Sequence, residues 1–168
     1  MKSRKCPTCR SEMRGSLVSH NYRECGLEFV TLENVPVYDC QRCGEHVLSI
    51  PAIEQLHRGI ALALAHKPFR LMPQEVKFIR RYLGLSNVDF ARTMGVSREQ
   101  ASRWTSTDPM GASAERLLRL LVERIEPAEK YPIDWLQNIS EERDRVEPIR
   151  LRSSDARWEQ VGNDAPAA

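Results

Sequence analysis

An α+β fold is predicted by three features of the 168-residue sequence. Two Cys-x-x-Cys pairs, Cys6/Cys9 and Cys40/Cys43, bracket a strand-like stretch; a helix-capping pattern occurs twice around Gly95; and the hydrophobic period changes from two to about 3.6 between them. They divide the chain into a small β-rich unit clipped by metal at residues 1–50, a connecting helix and linker at 51–68 and an all-α helix-turn-helix unit at 69–127. A C-terminal extension, 128–168, follows, in which apolar residues past Ser140 are sparse and unpatterned, so it is expected to be largely disordered.

The cysteines come first. No run of eighteen apolar residues and no apolar leader is present, so a cytoplasmic chain is expected, and structural disulfides are disfavoured there. Four thiolates satisfy one tetrahedral zinc ion at about 2.3 Å, and a two-residue gap lets both sulfurs of a pair reach it. Cys6, Cys9, Cys40 and Cys43 are therefore the expected ligands of one structural Zn2+. Gly44 suits the tight turn after the second pair, where the first pair carries Arg10. A dithiol redox site would need a βαβ setting that the flanking residues do not provide, and catalytic zinc would need an open coordination position. Cys25 falls out of phase with the pairs and reads as a half-buried small residue. His46 follows four thiolates that already complete the shell, and His20 and His57 read as ordinary polar positions. Strands are expected at Leu17–Glu24, Leu27–Leu32 and Val35–Tyr38, with turns at Gly26 and Glu33-Asn34.

Residues 51–66 have a stripe of Ile53, Leu56, Ile60 and Leu64 at helical spacing, and Pro51 fits a first turn. The next helix, Pro73 to Leu83, points Val76, Ile79 and Leu83 inward. Ser86 with Asp89, and Ser97 with Gln100, then form two capping boxes on either side of Gly95, a natural left-handed stop. Phe90, Ala91, Met94, Ala101 and Trp104 face inward. That leaves Arg98, Glu99, Gln100, Ser102 and Arg103 outside on the second helix, the layout that offers polar side chains to the DNA major groove. Arginine can pair with guanine and glutamine with adenine; Gln100 has the capping box as a competing role, and Glu99 can accept from cytosine or repel phosphate. For Arg103 the plain alternative is an ion pair with Glu99, four residues earlier. Arg80 and Arg81 are placed for backbone phosphates. A last helix, Ser113 to Ile125, is expected to bury Ala114, Leu117, Leu118, Leu121 and Ile125, and a short one is expected within Tyr131 to Ile139.

Charge supports this division. Residues 1–66 carry eight basic and seven acidic groups (+1), 67–125 eleven and six (+5), and 126–168 six and ten (−4). The positive block coincides with the helix-turn-helix, as a double-stranded DNA partner requires. One recognition helix makes a small footprint, so a homodimer is expected, with Leu120, Leu121 and Val122, or Tyr131 to Leu136, at its interface.

Residues 73–125 resemble a Cro/repressor-type (Xre-like) domain. Cys6-x-x-Cys9, a β-rich insert, then Val35-Pro36-Val37-Tyr38-Asp39-Cys40-x-x-Cys43-Gly44-Glu45 resemble the YgiT-type zinc finger of MqsA-like antitoxins, in which the finger precedes an Xre-like helix-turn-helix. The resemblance spans residues 4 to about 126. It implies a DNA-binding transcriptional repressor, the antitoxin of a type II toxin–antitoxin pair, whose finger docks a cognate toxin and whose C-terminal domain dimerises. A stand-alone regulator without a toxin and a zinc-scaffolded interaction adaptor are the alternatives. No Ser/His/Asp constellation, phosphate-cradling glycine loop or paired-carboxylate motif is seen, so no enzyme activity is expected.

Overall fold

The computed structural model describes residues 4–125, 134–154 and 157–162. Among these, a mixed α+β chain runs through β1 (Arg4–Lys5), β2 (Glu12–Asn21), a 3-10 turn (Arg23–Cys25), β3 (Val30–Cys40) and β4 (His46–Leu48). The helices α1 (Ile53–Ala65), α2 (Pro73–Tyr82), α3 (Asn87–Met94), α4 (Arg98–Trp104), α5 (Ala112–Ile125) and α6 (Asp134–Gln137) follow, before β5 (Ile149–Ser154) and β6 (Arg157–Gln160). No helix among the described residues is long and apolar enough to cross a membrane.

β3 is the spine of a six-stranded sheet ordered β1-β2-β3-β5-β6. One edge carries β2, antiparallel; the other carries β5, parallel, at Val30–Glu33 and β4, antiparallel, at Val37–Asp39. The turn expected at Glu33-Asn34 is instead a bulge inside β3. Val18 pairs with Val35 and His20 with Leu32, so Glu33 and Asn34 together oppose Ser19, and Asn34 takes φ +58°. The extra residue corrects a phase change in the sequence: it keeps Val30 and Leu32 on the same buried face as Val35 and Val37, which a plain strand would have sent to opposite faces. Gly26, at φ +86°, forms the other expected turn.

The expected disorder past Ser140 does not describe residues 149–154 and 157–160, which form β5 and β6. In β5, Ile149 and Leu151 alternate inward with Arg150 and Arg152 between them, a half-buried strand too short and too charged to stand out. Both arginines pair with Glu33 on the neighbouring strand, Arg152 at 2.7 Å. Arg152 first, then Arg150, hold the Glu33 carboxyl below its ordinary pKa. Their help to the β3–β5 seam is thus present at neutral pH and fades as pH falls through that lowered value.

α1, expected as a connector, packs against β5, β6, α2 and α5. A Cβ on Gly59 would lie 3.2 Å from Leu151, so helix and strand approach closely there. Leu56, Ile60 and Leu64 are buried as expected, whereas Ile53 is exposed. Leu27, Leu32, Ile60, Phe90, Leu118 and Leu151 belong to one buried cluster, so the sheet and the helices share their core. Trp158 anchors β6 by donating its indole N–H to the Pro51 carbonyl at 2.8 Å. Trp158→Phe should lower stability by about 0.5–1.5 kcal/mol, the net value of one hydrogen bond. Urea unfolding of this variant checks the docking of β6, and an unchanged midpoint would contradict it.

α5 turns a different face inward from the one expected. Leu118 and Val122 are buried together with Glu115, Arg119 and Glu123, while Leu117 is 42% and Leu120 41% exposed. The cause lies opposite, in the backbone between α1 and α2. The Arg119 guanidinium donates to the carbonyls of Ala65, Lys67 and Phe69 at 2.8, 2.6 and 2.6 Å, and Glu115 accepts from the Leu71 N–H at 3.1 Å. These groups lie outside any ladder and need partners once buried. Arg70 completes the network, bonding Glu115 at 2.8 Å and the Met110 carbonyl at 2.6 Å, and Lys67 meets Glu75 at 2.8 Å. Because Val122 is part of the core, it is not available to the interface expected for it. Ile125's side chain and Tyr131–Ile133 lie outside the described residues, while Leu136 is buried.

Candidate metal centre and nucleic-acid interface

The two cysteine pairs sit on matching turns. In each, the first cysteine's carbonyl accepts the N–H of the residue after the second cysteine, Arg10 or Gly44, at 3.0 Å. Its own N–H reaches the next carbonyl along, Ser11 at 2.8 Å or Glu45 at 2.9 Å. Both turns need a left-handed residue at that place. Gly44 takes φ +74°, and Arg10 adopts φ +60° despite its side chain, at a cost of roughly 1–2 kcal/mol.

Pairing of β1 with β2 and of β2 with β3 brings the turns together, and Met13 stands opposite Cys40. The Cys6, Cys9, Cys40 and Cys43 sulfurs all lie within 4.8 Å of one another. Cys6 and Cys43 are 3.5 Å apart and Cys9 and Cys40 3.4 Å. A tetrahedron with bonds of about 2.3 Å has edges of about 3.8 Å, so the group has the dimensions to hold a metal ion. Cys6, Cys40 and Met13 form a small buried cluster apart from the main core, and by strand alternation Cys40 lies on the face opposite Val35 and Val37.

The surroundings favour thiolate at one sulfur. The Ser11 side chain, then its backbone N–H, bring the Cys9 thiol down to about 6. At Cys43 the Glu45 N–H pulls the pKa down, but desolvation and the neighbouring sulfurs prevail and push it up to about 12. Four sulfurs at this spacing cannot all ionise without a cation among them. His46 turns to Asp39, at 2.7 Å, and the Cys25 thiol donates to the Tyr22 carbonyl at 3.1 Å, so neither joins the cluster. His57 is less solitary than expected: its Nε2 lies 2.9 Å from the Tyr22 hydroxyl.

The second site is the face of α4. Ser86 Oγ accepts the Asp89 N–H at 3.1 Å, and Ser97 Oγ accepts the Gln100 N–H at 3.1 Å. Gly95, at φ +68°, ends α3 and turns the chain into α4. Phe90 and Trp104 pack edge to face at 6.5 Å between centroids, and Ala101 is fully buried, which fixes α4 against α3. Arg98, Glu99, Ser102 and Arg103 are exposed and Gln100 is half-buried.

Some expected roles change. Gln100 does not close the second capping box; its side chain accepts from Arg103 Nη2 at 3.0 Å. Glu99 turns back instead: its own backbone N–H, then the Ser97 side chain, hold its carboxyl below the usual range. Arg103 also faces Asp108 at 3.7 Å, so Gln100 and Asp108 are its partners in place of Glu99. Arg80 is half-buried and holds the α2–α3 turn, donating from Nη1 to the Leu85 carbonyl at 2.5 Å, with a buried Nε that has no partner. Arg81 is exposed.

No family model, curated protein or solved structure matches this chain.

Proposed function

We propose that this chain is a sequence-specific DNA-binding regulator, with α3, the Gly95 turn and α4 acting as a helix-turn-helix and the four cysteines holding one structural zinc ion. The observation that carries this reading is the exposed row of Arg98, Glu99, Ser102 and Arg103 on a helix that Ala101 and Trp104 pin from behind. A side chain reads a base edge only when its helix is held in place, and α4 is capped and packed for that. Four soft thiolates with no open ligand position suit zinc in a structural role.

The more specific reading is a repressor that is the antitoxin of a type II pair, cytoplasmic and without enzyme activity. It rests on the resemblance of the cysteine unit and on its place ahead of the helix-turn-helix. Exposed Leu117 and Leu120 on α5 supply apolar surface for the homodimer that a two-fold operator requires. Co-purification with the product of a small neighbouring reading frame tests the antitoxin reading; a neighbourhood without such a frame favours the stand-alone regulator.

The DNA reading is tested by fluorescence anisotropy on the duplex upstream of the chain's own reading frame. Arg98→Ala and Arg103→Ala should each weaken that duplex by about 1–3 kcal/mol and a random duplex little. Arg103 must leave Gln100 and Asp108 to reach a base, so the larger loss is expected at Arg98. Unchanged affinity in both variants would remove α4 as the reading helix.

A further inference from the structure

The residues after α4 fold back on Arg103. The N–H groups of Ser106, Thr107 and Asp108 all donate to the Arg103 carbonyl, at 3.0, 2.8 and 2.9 Å. This anchors Asp108 beside the arginine whose backbone it binds. One oxygen of its carboxylate accepts from the Thr107 hydroxyl at 2.9 Å, and the other faces Arg103 Nε at 3.7 Å. From within α4, Gln100 Oε1 accepts from Arg103 Nη2 at 3.0 Å. Glu99 is turned back on the start of the helix, so among the described residues Asp108 is the carboxylate that this guanidinium faces.

Two of the three guanidinium nitrogens are thus engaged by the kinds of group that DNA would offer them. The Asp108 carboxylate stands where a phosphate oxygen could, and the Gln100 amide oxygen where a guanine O6 could. The Arg103 and Asp108 side chains are 57% and 43% exposed, so a duplex can reach them and the hold is weak enough to break.

We infer that Asp108 is an internal competitor for the operator: it holds the Arg103 guanidinium in the DNA-free protein and is displaced when that side chain takes a base. The inference rests on the proposed base reading by α4. A contact made only in the free protein reduces the apparent affinity in proportion to the fraction of molecules in which it is open. Asp108 therefore sets operator affinity below what α4 could reach. Release of Arg103 also frees Gln100 Oε1, the acceptor that an adenine contact needs, so the two readers become available in one step.

The test is fluorescence anisotropy of the full chain carrying Asp108→Asn, alone and with Arg103→Ala, on the duplex upstream of its own reading frame and on a random duplex. Asparagine keeps an acceptor for the Thr107 hydroxyl and the N–H that meets the Arg103 carbonyl, so thermal melting should stay where it was. Asp108→Asn should tighten the upstream duplex by about twofold to fivefold, the range of an exposed ion pair. The random duplex should gain no more than that, because its phosphates need not draw Arg103 out in every complex. In the Arg103→Ala background the gain should be lost. A gain of the same size without Arg103 would mean simple charge repulsion and would overturn the inference. Weaker binding of the upstream duplex by Asp108→Asn would overturn it too, since Asp108 would then brace Arg103 on the base; so would an unchanged affinity. If Arg103→Ala alone leaves the upstream duplex bound as before, the inference falls while reading by Arg98 stands. If the unmodified protein binds no duplex, both fall.

Discussion

Replacing Cys40 with serine should release the metal and unfold far more than the cysteine turns. Cys40 ends β3, is 3% exposed, and lies 3.4 Å from the Cys9 sulfur. Structural zinc supplies an apparent 10–16 kcal/mol to small domains at neutral pH, and a site short of one thiolate forfeits much of it. Read from the sequence, the damage would stop near residue 50 and leave the helices folded. The structure extends it. β3 also carries Val30, Leu32 and Val35 into the cluster shared with α1, α5 and β5, so freeing its metal end loosens a strand on which the whole core leans. Native mass spectrometry should show the metal-to-protein ratio falling from one towards zero. Circular dichroism should show helix and sheet melting together at a lower temperature. Retention of metal at full stoichiometry would refute the ligand set. A helical signal that melts where it did before would refute the shared core.

The second large effect is expected at Glu115. Its carboxylate meets Arg70 and Arg119, each at 2.8 Å, and accepts the Leu71 N–H; Arg119 is fully buried. Glu115→Ala leaves the fully buried Arg119 without its paired carboxylate and Arg70 with Glu141 alone at 2.7 Å, which costs about 3–5 kcal/mol. Many buried ion networks can be exchanged for apolar residues with little loss, but this one should not be. Arg119 also satisfies three backbone carbonyls, and an apolar side chain there would strand all three. Arg119→Met combined with Glu115→Leu should therefore remain well below the unmodified protein. Urea unfolding with an unchanged slope measures both. A loss under 1 kcal/mol for Glu115→Ala would show that water or neighbouring groups screen this network.

What could be read in advance was what the chain encodes locally. Cys6, Cys9, Cys40 and Cys43 announce their cluster because a two-residue gap between thiols has few other uses. Ser86, Gly95 and Ser97 mark helix ends within a few residues of themselves. Residues whose meaning depends on a distant partner could not be read this way. Glu115 and Arg119 look like a solvated helix face until the carbonyls of 65–69 are placed against them. Arg80 reads as a surface cation because nothing in its own segment reveals that it will clasp Leu85. Ile149 and Leu151 make a strand only because β3 offers an edge and Glu33 draws their arginines. Asn34 could be taken for a turn because a bulge and a turn use the same left-handed backbone.

The parallel pairing of β5 with β3 also sets an order of assembly. Arg152 meets Glu33 across 119 positions of sequence. At synthesis rates of about 5–20 residues per second, β3 waits roughly 6–24 s on the ribosome before its neighbour exists. Through that interval the far edge of β3 and the faces of Ile60 and Gly59 that β5 will cover have no partner from this chain. β5 and β6 are therefore also the latch of the fold: a nascent chain completes this sheet only after residues 149–160 have been made, and loop closure over that distance sets a slow step.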